Sequence, residues 1–356
     1  MKPMMIETPS KVYPVHIGSG IIEHLPAFIY RAFPNLTNIM IITDETVANL
    51  YLPALQRVLT PFNQKSCIVP SGEKAKTFEV YQECITFALE NKLDRKSLVL
   101  SFGGGAVGDL GGFVAATFMR GIPFIQVPTT ILAHDSAVGG KVAINHPLGK
   151  NMVGVFNQPE AVFYDLSFLH TLPSHERRSG FAEVIKHGLI KDPSFYSWLL
   201  AHISSLEQLT EDELSYMLTR GIEIKGEFVS KDEKETSIRA FLNFGHTLGH
   251  AIEAEMGYGK WTHGEAIVIG MLFALSLSRK KAGLSFNSEQ LKEWLVQIGY
   301  ETNLPAELDK RKLVERMKQD KKSVGQMVNF VLLKEIGQPV LYEMTDEELL
   351  KELSIF

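Results

Sequence analysis

Residues Ser97–Asp109, SLVLSFGGGAVGD, join a short apolar strand directly to a turn rich in glycine. Gly103, Gly105 and Gly108 fit the pattern G-x-G-x-x-G, and the residues after them favour a helix. Glycines in such a turn let the backbone approach a pyrophosphate, and the N-terminus of the following helix supplies N–H donors to it. Tight turns that bind nothing carry the same pattern, so two interpretations of this stretch remain open.

Strand and helix patterns alternate on both sides of this turn. Helical periodicity occurs at about Glu45–Leu59 and at Phe78–Asn91. Apolar runs typical of strands occur at Asn38–Thr43, Lys65–Val69, Ser97–Phe102, Phe124–Val127 and Ala161–Tyr164. Strands separated by helices indicate parallel βαβ units, so the first half of the chain is predicted to form an α/β sheet.

The character of the sequence changes after about Leu172. One late strand is predicted at Asn329–Leu333. Helical periodicity dominates elsewhere, at Glu176–Ile190, Glu211–Val229, Leu242–Met256, Ala266–Ala282, Ser288–Ile298 and Leu308–Lys318. We therefore predict an α/β domain over residues 1–172 and a mainly helical domain over residues 173–356.

Composition supports two globular domains and excludes several classes of protein. A chain of 356 residues is long for a single core. The net charge of −5 gives no sign of a nucleic-acid partner, and the longest apolar run, Ala266–Leu275, is too short to cross a membrane. Cys67 and Cys84 form no disulfide framework, and residues 1–10 lack the apolar core of a signal peptide. We expect a cytoplasmic protein.

Asp44 ends the first predicted strand and is a candidate nucleotide ligand. The usual fingerprint places an acidic residue after the glycines, whereas this one precedes them. Its carboxylate could hold a ribose hydroxyl. It could equally cap the helix that follows, and the sequence does not separate the two roles.

Histidines in the second half form a candidate metal site. His246 and His250 are four residues apart in FLNFGHTLGH (Phe241–His250), so they share one helix face. His263 follows in the next segment, and Glu183 lies on an earlier predicted helix. Two imidazoles and one carboxylate suit a catalytic zinc with an open position. Spacing alone suggests His246 with His250 and does not choose the ligand set, and an isolated histidine is usually a surface or core residue.

Several cations stand beside glycine-rich or apolar segments, unlike ordinary solvated lysines. If they converge on one cleft they would bind a phosphate and a carboxylate. They are Lys141, Lys150, Lys186, Lys225, Arg239, Lys321 and Lys322.

Taken together and in order, the motifs of this chain resemble the 3-dehydroquinate synthases, members of the sugar phosphate cyclase superfamily. The likeness covers nearly the whole chain. The motifs are FGGGAVGDLGG (Phe102–Gly112), VPTT (Val127–Thr130), DSAVGGK (Asp135–Lys141), LGKN (Leu148–Asn151), AEVIK (Ala182–Lys186), NFGHTLGH (Asn243–His250), HGE (His263–Glu265) and DKK (Asp320–Lys322).

The resemblance implies a fold, two cofactors and a set of site residues. The fold is a Rossmann-like NAD domain followed by a mainly helical, metal- and substrate-binding domain. One zinc or cobalt ion per chain is held by Glu183, His246 and His263, which makes His250 a substrate-side group. NAD is bound by Asp44, Glu73, Lys76, Gly104, Gly105, Ala106, Val107, Gly108, Asp109, Thr129, Thr130, Lys141, Lys150, Phe168 and Thr171. The substrate is bound by Asp135, Lys141, Asn151, Lys186, Lys225, Arg239, Asn243, His250 and one of Lys321 and Lys322.

The reaction implied by the resemblance converts a sugar-acid phosphate, 3-deoxy-D-arabino-heptulosonate 7-phosphate, into 3-dehydroquinate and phosphate, in the shikimate pathway to aromatic amino acids. Transient oxidation by NAD at C5 precedes phosphate elimination, re-reduction, ring opening and intramolecular aldol closure. Arg120 resembles the arginine that reaches the phosphate site of a neighbouring subunit, which implies a homodimer. One departure is visible, since the segment from Thr130 to Asp135 is a residue shorter than in many relatives.

Three alternatives stand beside this interpretation. A polyol or glycerol dehydrogenase would share the glycine turn and the metal but release NADH. Another sugar phosphate cyclase would act on a similar phosphate. A catalytically inactive NAD-binding regulator would not need Glu183, His246 and His263, all of which are present.

Overall fold

A computed structural model of the chain describes residues 3–257, 261–320 and 327–356, which form two compact units. The first unit contains Met1–Leu172 and Leu214–Lys234, and the second contains Pro173–Glu213 and Glu235–Phe356. The sequence assigned residues 214–234 to the second domain because they continue a run of helical segments. This assignment is corrected, since that helix packs within the first unit.

The first unit is built on parallel strands. Its strands are β1 (Met4–Glu7), β2 (Val12–Gly18), β3 (Ile39–Asp44), β4 (Gln64–Val69), β5 (Leu98–Gly103), β6 (Phe124–Pro128), β7 (Lys141–His146), β8 (Gly149–Phe156) and β9 (Ala161–Asp165). Seven of them form one sheet in the order β1-β2-β9-β6-β5-β3-β4, and only the β1–β2 pair in it is antiparallel. β7 and β8 form a separate antiparallel hairpin. The predicted α/β sheet is confirmed.

Helices cover both faces of this sheet. Successive strand residues point to opposite sides, and the residues on both sides are buried. Ile39 and Ile41 of β3 join one buried cluster, while Met40 and Ile42 join the other. The helices of the first unit that precede β9 are α1 (Leu25–Ala32), α2 (Glu45–Val58), α3 (Phe78–Glu90), α4 (Gly105–Thr117) and α5 (Ala133–Ser136).

Helix α4 lies unusually close to the sheet because glycines line its inner face. A Cβ atom on Gly111 would lie 2.1 Å from the Oγ of Ser101 in β5, and one on Gly108 would lie 2.8 Å from the Oε1 of Gln126 in β6. The glycine run therefore serves two purposes. It turns the chain at the end of β5, and it brings the start of α4 directly over the strand ends.

The second unit is mainly helical, as predicted. Its helices are α6 (Ser174–Lys191), α7 (Pro193–His202), α8 (Glu211–Lys231, most of which belongs to the first unit), α9 (His246–Met256), α10 (His263–Leu277), α11 (Ser288–Gln297), α12 (Lys310–Asp320) and α13 (Asp346–Ile355). The hairpin of β10 (Met327–Glu335) and β11 (Gln338–Thr345) completes it. Residues Ser179–Ile190 of α6 and Ala266–Leu275 of α10 are buried on every side, so these two helices form the centre of the unit.

Gly245 divides a segment that the sequence predicted as one helix. Instead of a helix over Leu242–Met256, a 3₁₀ turn at Ile238–Asn243 precedes α9. The backbone of Gly245 has φ 82°, a left-handed conformation that glycine adopts without steric cost. The break makes His246 the first residue of a new helix.

Three helices approach one another at backbone distance through glycines. A Cβ atom on Gly270 of α10 would lie 1.9 Å from the carbonyl oxygen of Gly245, at the start of α9. A Cβ atom on Gly264 of α10 would lie 2.1 Å from the carbonyl oxygen of Ser179 in α6. The N-terminal ends of α9 and α10 are thereby held beside the middle of α6.

The substitution Gly270→Ala should destabilise the second unit, because the new methyl group meets a backbone oxygen that cannot rotate away. We expect a loss of about 3 kcal/mol in the free energy of unfolding, at the upper end of overpacking effects. Gly283→Ala is the control, since Gly283 has φ 75° with open space around it and should lose only about 1 kcal/mol to backbone strain. Calorimetric unfolding of both variants measures the difference, and equal losses would contradict the close packing of α9 and α10.

Candidate metal centre and nucleotide-binding turn

Glu183, His246 and His263 meet inside the second unit. Glu183 lies in the middle of α6, and each histidine is the first residue of its helix. The Oε1 atom of Glu183 lies 3.4 Å from the Nε2 atom of His246 and 3.4 Å from the Nε2 atom of His263. Residues far apart in the chain therefore direct one carboxylate oxygen and two imidazole nitrogens at a common point.

These distances fit a tetrahedral metal ion. Bonds of about 2.0–2.1 Å from zinc to nitrogen and oxygen separate neighbouring ligand atoms by about 3.3 Å. The donor set of two imidazoles and one carboxylate is also that of catalytic zinc sites, which keep one position open. Glu183 is only 1% exposed; its Oε2 atom contacts the Lys186 ammonium, and its Oε1 atom faces the two imidazoles.

The electrostatics of the cluster favour an ionised Glu183. Burial alone would raise its pKa, but the Lys186 ammonium, in contact with Oε2, and the neighbouring imidazoles hold the pKa of Glu183 well below its usual range. Burial, together with the charge of Lys186, lowers the pKa of His246 to about 4. Burial acts in the same direction on His263, but hydrogen bonds to Glu183 and Glu253 outweigh it and raise the pKa of His263 to about 9.

His250 belongs to the same cluster. One ring nitrogen each from His246, His250 and His263 lies within 4.8 Å of the others. The ring centroid of His250 is 5.1 Å from that of His246 and 5.7 Å from that of His263. The pair suggested by spacing and the set implied by the resemblance are thus both close together, and Glu183 contacts His246 and His263.

Other predicted substrate residues of the second unit lie in buried surroundings. Lys186 and Arg239 are each 1% exposed. The Nδ2 atom of Asn243 donates to the Oε1 atom of Glu235 at 2.8 Å. Sequence reasoning missed Glu235. Its unusual backbone position, with a positive φ of 55°, is visible only in the structure. Lys321 and Lys322 lie outside the described residues.

Two buried lysines of the first unit are paired with predicted site residues. The Nζ atom of Lys225 donates to the Oδ2 atom of Asp135 at 2.7 Å, and the shortened segment before Asp135 forms part of helix α5. The Nζ atom of Lys76 donates to the Oδ2 atom of Asp109 at 2.6 Å and also to the side chain of Asn151. The structure thus brings Asp135 to Lys225, and Lys76 to both Asp109 and Asn151, within one unit.

The glycine turn places its amides at the end of β5. Gly104 is the N-cap residue of α4 and has no side chain with which to cap the helix, and Gly104, Gly105 and Ala106 are partly exposed. Thr129 and Thr130 lie beside the turn, since the backbone N–H of Thr129 donates to the carbonyl oxygen of Gly103 at 3.1 Å. Uncapped N–H groups at the start of a helix suit an anion.

Asp44 is a helix N-cap. Its Oδ1 atom accepts hydrogen bonds from the N–H groups of Thr46 and Val47 at 2.9 and 3.0 Å, and from the hydroxyl of Ser71 at 3.1 Å. All three bonds involve the same oxygen. The capping role that the sequence left open is therefore present, and it engages Oδ1 rather than Oδ2.

The remaining predicted residues occupy the surroundings of these elements. Glu73 accepts a hydrogen bond from Asn145 at 2.7 Å. On α2, the hydroxyl of Tyr51 lies 2.6 Å from that of Thr171 and 3.3 Å from the carbonyl oxygen of Phe168. Arg120 is exposed in the turn between α4 and β6, with φ 69°.

Among the described residues, none of the helices combines the length and the apolar character that a membrane span requires.

Comparison with solved structures identifies the class of fold. The structure is similar to that of a 2-deoxy-scyllo-inosose synthase complexed with carbaglucose-6-phosphate, NAD+ and Co2+, with a TM-score of 0.90, 24% identity and coverage of 99% of both chains. It is similarly close to the 2-epi-5-epi-valiolone synthase of Streptomyces hygroscopicus with NAD+ and Zn2+ bound, with a TM-score of 0.86, 24% identity and coverage of 96% of both chains. The chain therefore shares the fold of these two synthases.

Sequence comparison narrows this class to one family. The profile described as 3-dehydroquinate synthase N-terminal matches residues 66–179, and the one described as 3-dehydroquinate synthase C-terminal matches residues 180–323. The 3-dehydroquinate synthase of Geobacillus thermodenitrificans is 53% identical over 354 residues, which cover 99% of this chain and 97% of that protein. The chain belongs to the 3-dehydroquinate synthase family. The resemblance, the fold class and the phosphate-eliminating lyase function predicted from the motifs are confirmed.

Proposed function

We propose that the chain converts 3-deoxy-D-arabino-heptulosonate 7-phosphate into 3-dehydroquinate and phosphate, with NAD and one metal ion per chain as cofactors. The observation that carries the proposal is the cluster of Glu183, His246 and His263, in which one oxygen lies 3.4 Å from each of two nitrogens. That cluster, in a chain of this family, supplies the donor set that a metal-assisted oxidation at a hydroxyl requires.

Glu183, His246 and His263 would hold the metal. Their geometry supports a tetrahedral ion, and the two similar cyclase structures contain Co2+ and Zn2+ respectively. Zinc is our choice, because two imidazoles and one carboxylate form a typical zinc donor set. His250 would hold a proton on the substrate side, with Asn243 near it in the chain.

NAD would bind at the turn between β5 and α4. The uncapped N–H groups of Gly104, Gly105 and Ala106 would meet the pyrophosphate, and the Oδ2 atom of Asp44 would accept from a ribose hydroxyl. The other NAD residues in this proposal lie on the surrounding loops and helices. They are Glu73, Lys76, Val107, Gly108, Asp109, Thr129, Thr130, Lys141, Lys150, Phe168 and Thr171.

When bound, NAD would supply a hydride acceptor that later returns the hydride. The metal ion would supply a Lewis acid that lowers the pKa of the hydroxyl to be oxidised. The side chains of the protein would bind the substrate and move its proton. Lys186 and Arg239, both buried, would bind the anionic groups of the substrate through charge-assisted hydrogen bonds. Asp135, Lys141, Asn151 and Lys225, together with one of Lys321 and Lys322, would complete its binding. The imidazole of His250 would move the hydroxyl proton.

We further propose a cytoplasmic homodimer. The exposed Arg120, held in a left-handed turn, is available to reach a second copy of the chain, as the resemblance implies. Cys67 and Cys84 are buried free thiols, which suits a reducing compartment.

Replacement of single histidines tests the metal assignment. His246→Ala and His263→Ala should weaken zinc binding by more than about 100-fold, since even an outer-shell partner is worth about 10–100-fold. His250→Ala should keep the metal and lose activity. His202→Ala, which removes an exposed histidine of α7, is the control. Elemental analysis measures the zinc content and chelator competition measures the affinity for zinc. Full zinc content in His263→Ala would contradict the assignment.

Asp44 offers a test in which capping and cofactor binding separate. Asparagine caps a helix about as well as aspartate, so Asp44→Asn should keep the stability of the chain. It should weaken NAD binding about tenfold, because a hydrogen bond to a charged group is worth about 1.5–3 kcal/mol. Thr77→Ala is the matched control, since it removes the cap of α3 and should cost about 1 kcal/mol without a change in NAD affinity. Calorimetric titration with unchanged NAD affinity in Asp44→Asn would exclude the ribose contact.

The balance of hydride separates this lyase from a polyol or glycerol dehydrogenase. Each turnover of the heptulosonate substrate should release one phosphate with no net NADH, and a trace of NAD should sustain many turnovers. Substrate deuterated at C5 should keep its label in the cyclic product. Phosphate release and nicotinamide absorbance are followed in the same reaction. NADH that accumulates in step with turnover would transfer the chain to the dehydrogenases.

A further inference from the structure

His263 is held from two sides by carboxylates. Its Nε2 atom faces Glu183, and its Nδ1 atom lies 3.3 Å from the Oε2 atom of Glu253. One ring nitrogen therefore points to the candidate metal position, and the other points away from it to a second acid.

Glu253 is part of the same helix face as the histidines of α9. It follows His246 by seven residues and His250 by three, so its side chain projects in the same direction. The residue is 9% exposed, which limits the directions its carboxylate can take. The backbone of His263 is itself fixed, because Thr262 and Glu265 form a capping box around the start of α10.

The chemistry of a metal-bound imidazole requires such a partner. A neutral imidazole that coordinates through Nε2 carries its proton on Nδ1, and an acceptor at Nδ1 fixes both the tautomer and the plane of the ring. Glu183 cannot provide this, because it occupies the Nε2 side.

We propose that Glu253 is a positioning residue, which accepts the Nδ1–H of His263 and so holds the Nε2 lone pair towards the metal. This inference rests on the metal centre proposed above. Helix α9 would then have two roles. It would provide the metal ligand His246, and through Glu253 it would orient the ligand His263.

Metal affinity tests the inference, with Glu255 as the control. Glu255 lies two residues further along α9 and pairs with Arg316 at 2.7 Å, so Glu255→Gln makes the same change of charge on the same helix away from His263. Glu253→Ala should weaken zinc binding by up to about 100-fold, and Glu253→Gln by about tenfold, because the amide oxygen still accepts the hydrogen bond. Glu255→Gln should bind zinc as the unmodified chain does.

The absorption spectrum of the cobalt-loaded protein adds a readout that a merely structural role would not move. The visible bands of Co2+ should change in Glu253→Ala, be largely restored in Glu253→Gln and be unaltered in Glu255→Gln. If Glu253→Ala does not fold, the comparison of the two glutamine variants decides.

The outcomes are distinct for the metal centre and for Glu253. An unmodified chain that binds no zinc would remove the metal centre itself. Unmodified affinity and spectrum in both Glu253 variants would overturn the positioning role while leaving the centre intact. Complete loss of the metal in Glu253→Gln, as in His263→Ala, would also overturn it, because Glu253 would then be a ligand.

Discussion

The second unit depends on a carboxylate that is almost wholly removed from water. Glu183 is 1% exposed at the centre of α6, and an isolated buried carboxylate is too costly to remain ionised. It is tolerated because Lys186, His246 and His263 surround it. Removal of Lys186 would leave the charge under-compensated, so the site and the core of this unit are the same structure.

Glycine makes this arrangement sterically feasible. Gly264 and Gly270 let α10 contact α6 and α9 at backbone distance, and Gly245 starts α9 at the residue that faces Glu183. The first unit uses the same device, since Gly108 and Gly111 bring α4 against the sheet. In both units, glycines that look like simple flexibility in the sequence fix how closely the functional elements approach.

The sequence predicted the sheet better than the small hairpins. Strands such as β5 are buried on both faces and form continuous apolar runs, whereas β1, β2 and β8 alternate between buried and exposed residues or are largely exposed. Residues 214–234, which contain most of α8, were assigned to the second domain but belong to the first unit, because periodicity shows that a helix exists and not where it packs.

The candidate site shows the same limit. Spacing brought His246 and His250 together, but no spacing rule connects Glu183 to His263, and only the resemblance named that set. The contact of Glu253 with His263 was also missed, although its place on the face of His246 and His250 follows from helical period alone. A tertiary contact between two helices has to be seen in the structure before such a residue acquires a role.

The net charge of the chain and the burial of its lysines bear on how it would bind an anionic substrate. A net charge of −5 does not attract an anion, but three of the candidate lysines, Lys76, Lys186 and Lys225, are buried rather than solvated. Lys76, Lys186 and Lys225 are at most 6% exposed, and each is paired with a carboxylate of its own unit. The desolvation of these ammonium groups was therefore met when the chain folded. In the proposed function, an anionic group that reaches any of these lysines would meet a cation already oriented and shielded from water, where charge-assisted hydrogen bonds are strongest. Such a lysine would select an anion by position rather than by the overall charge of the chain.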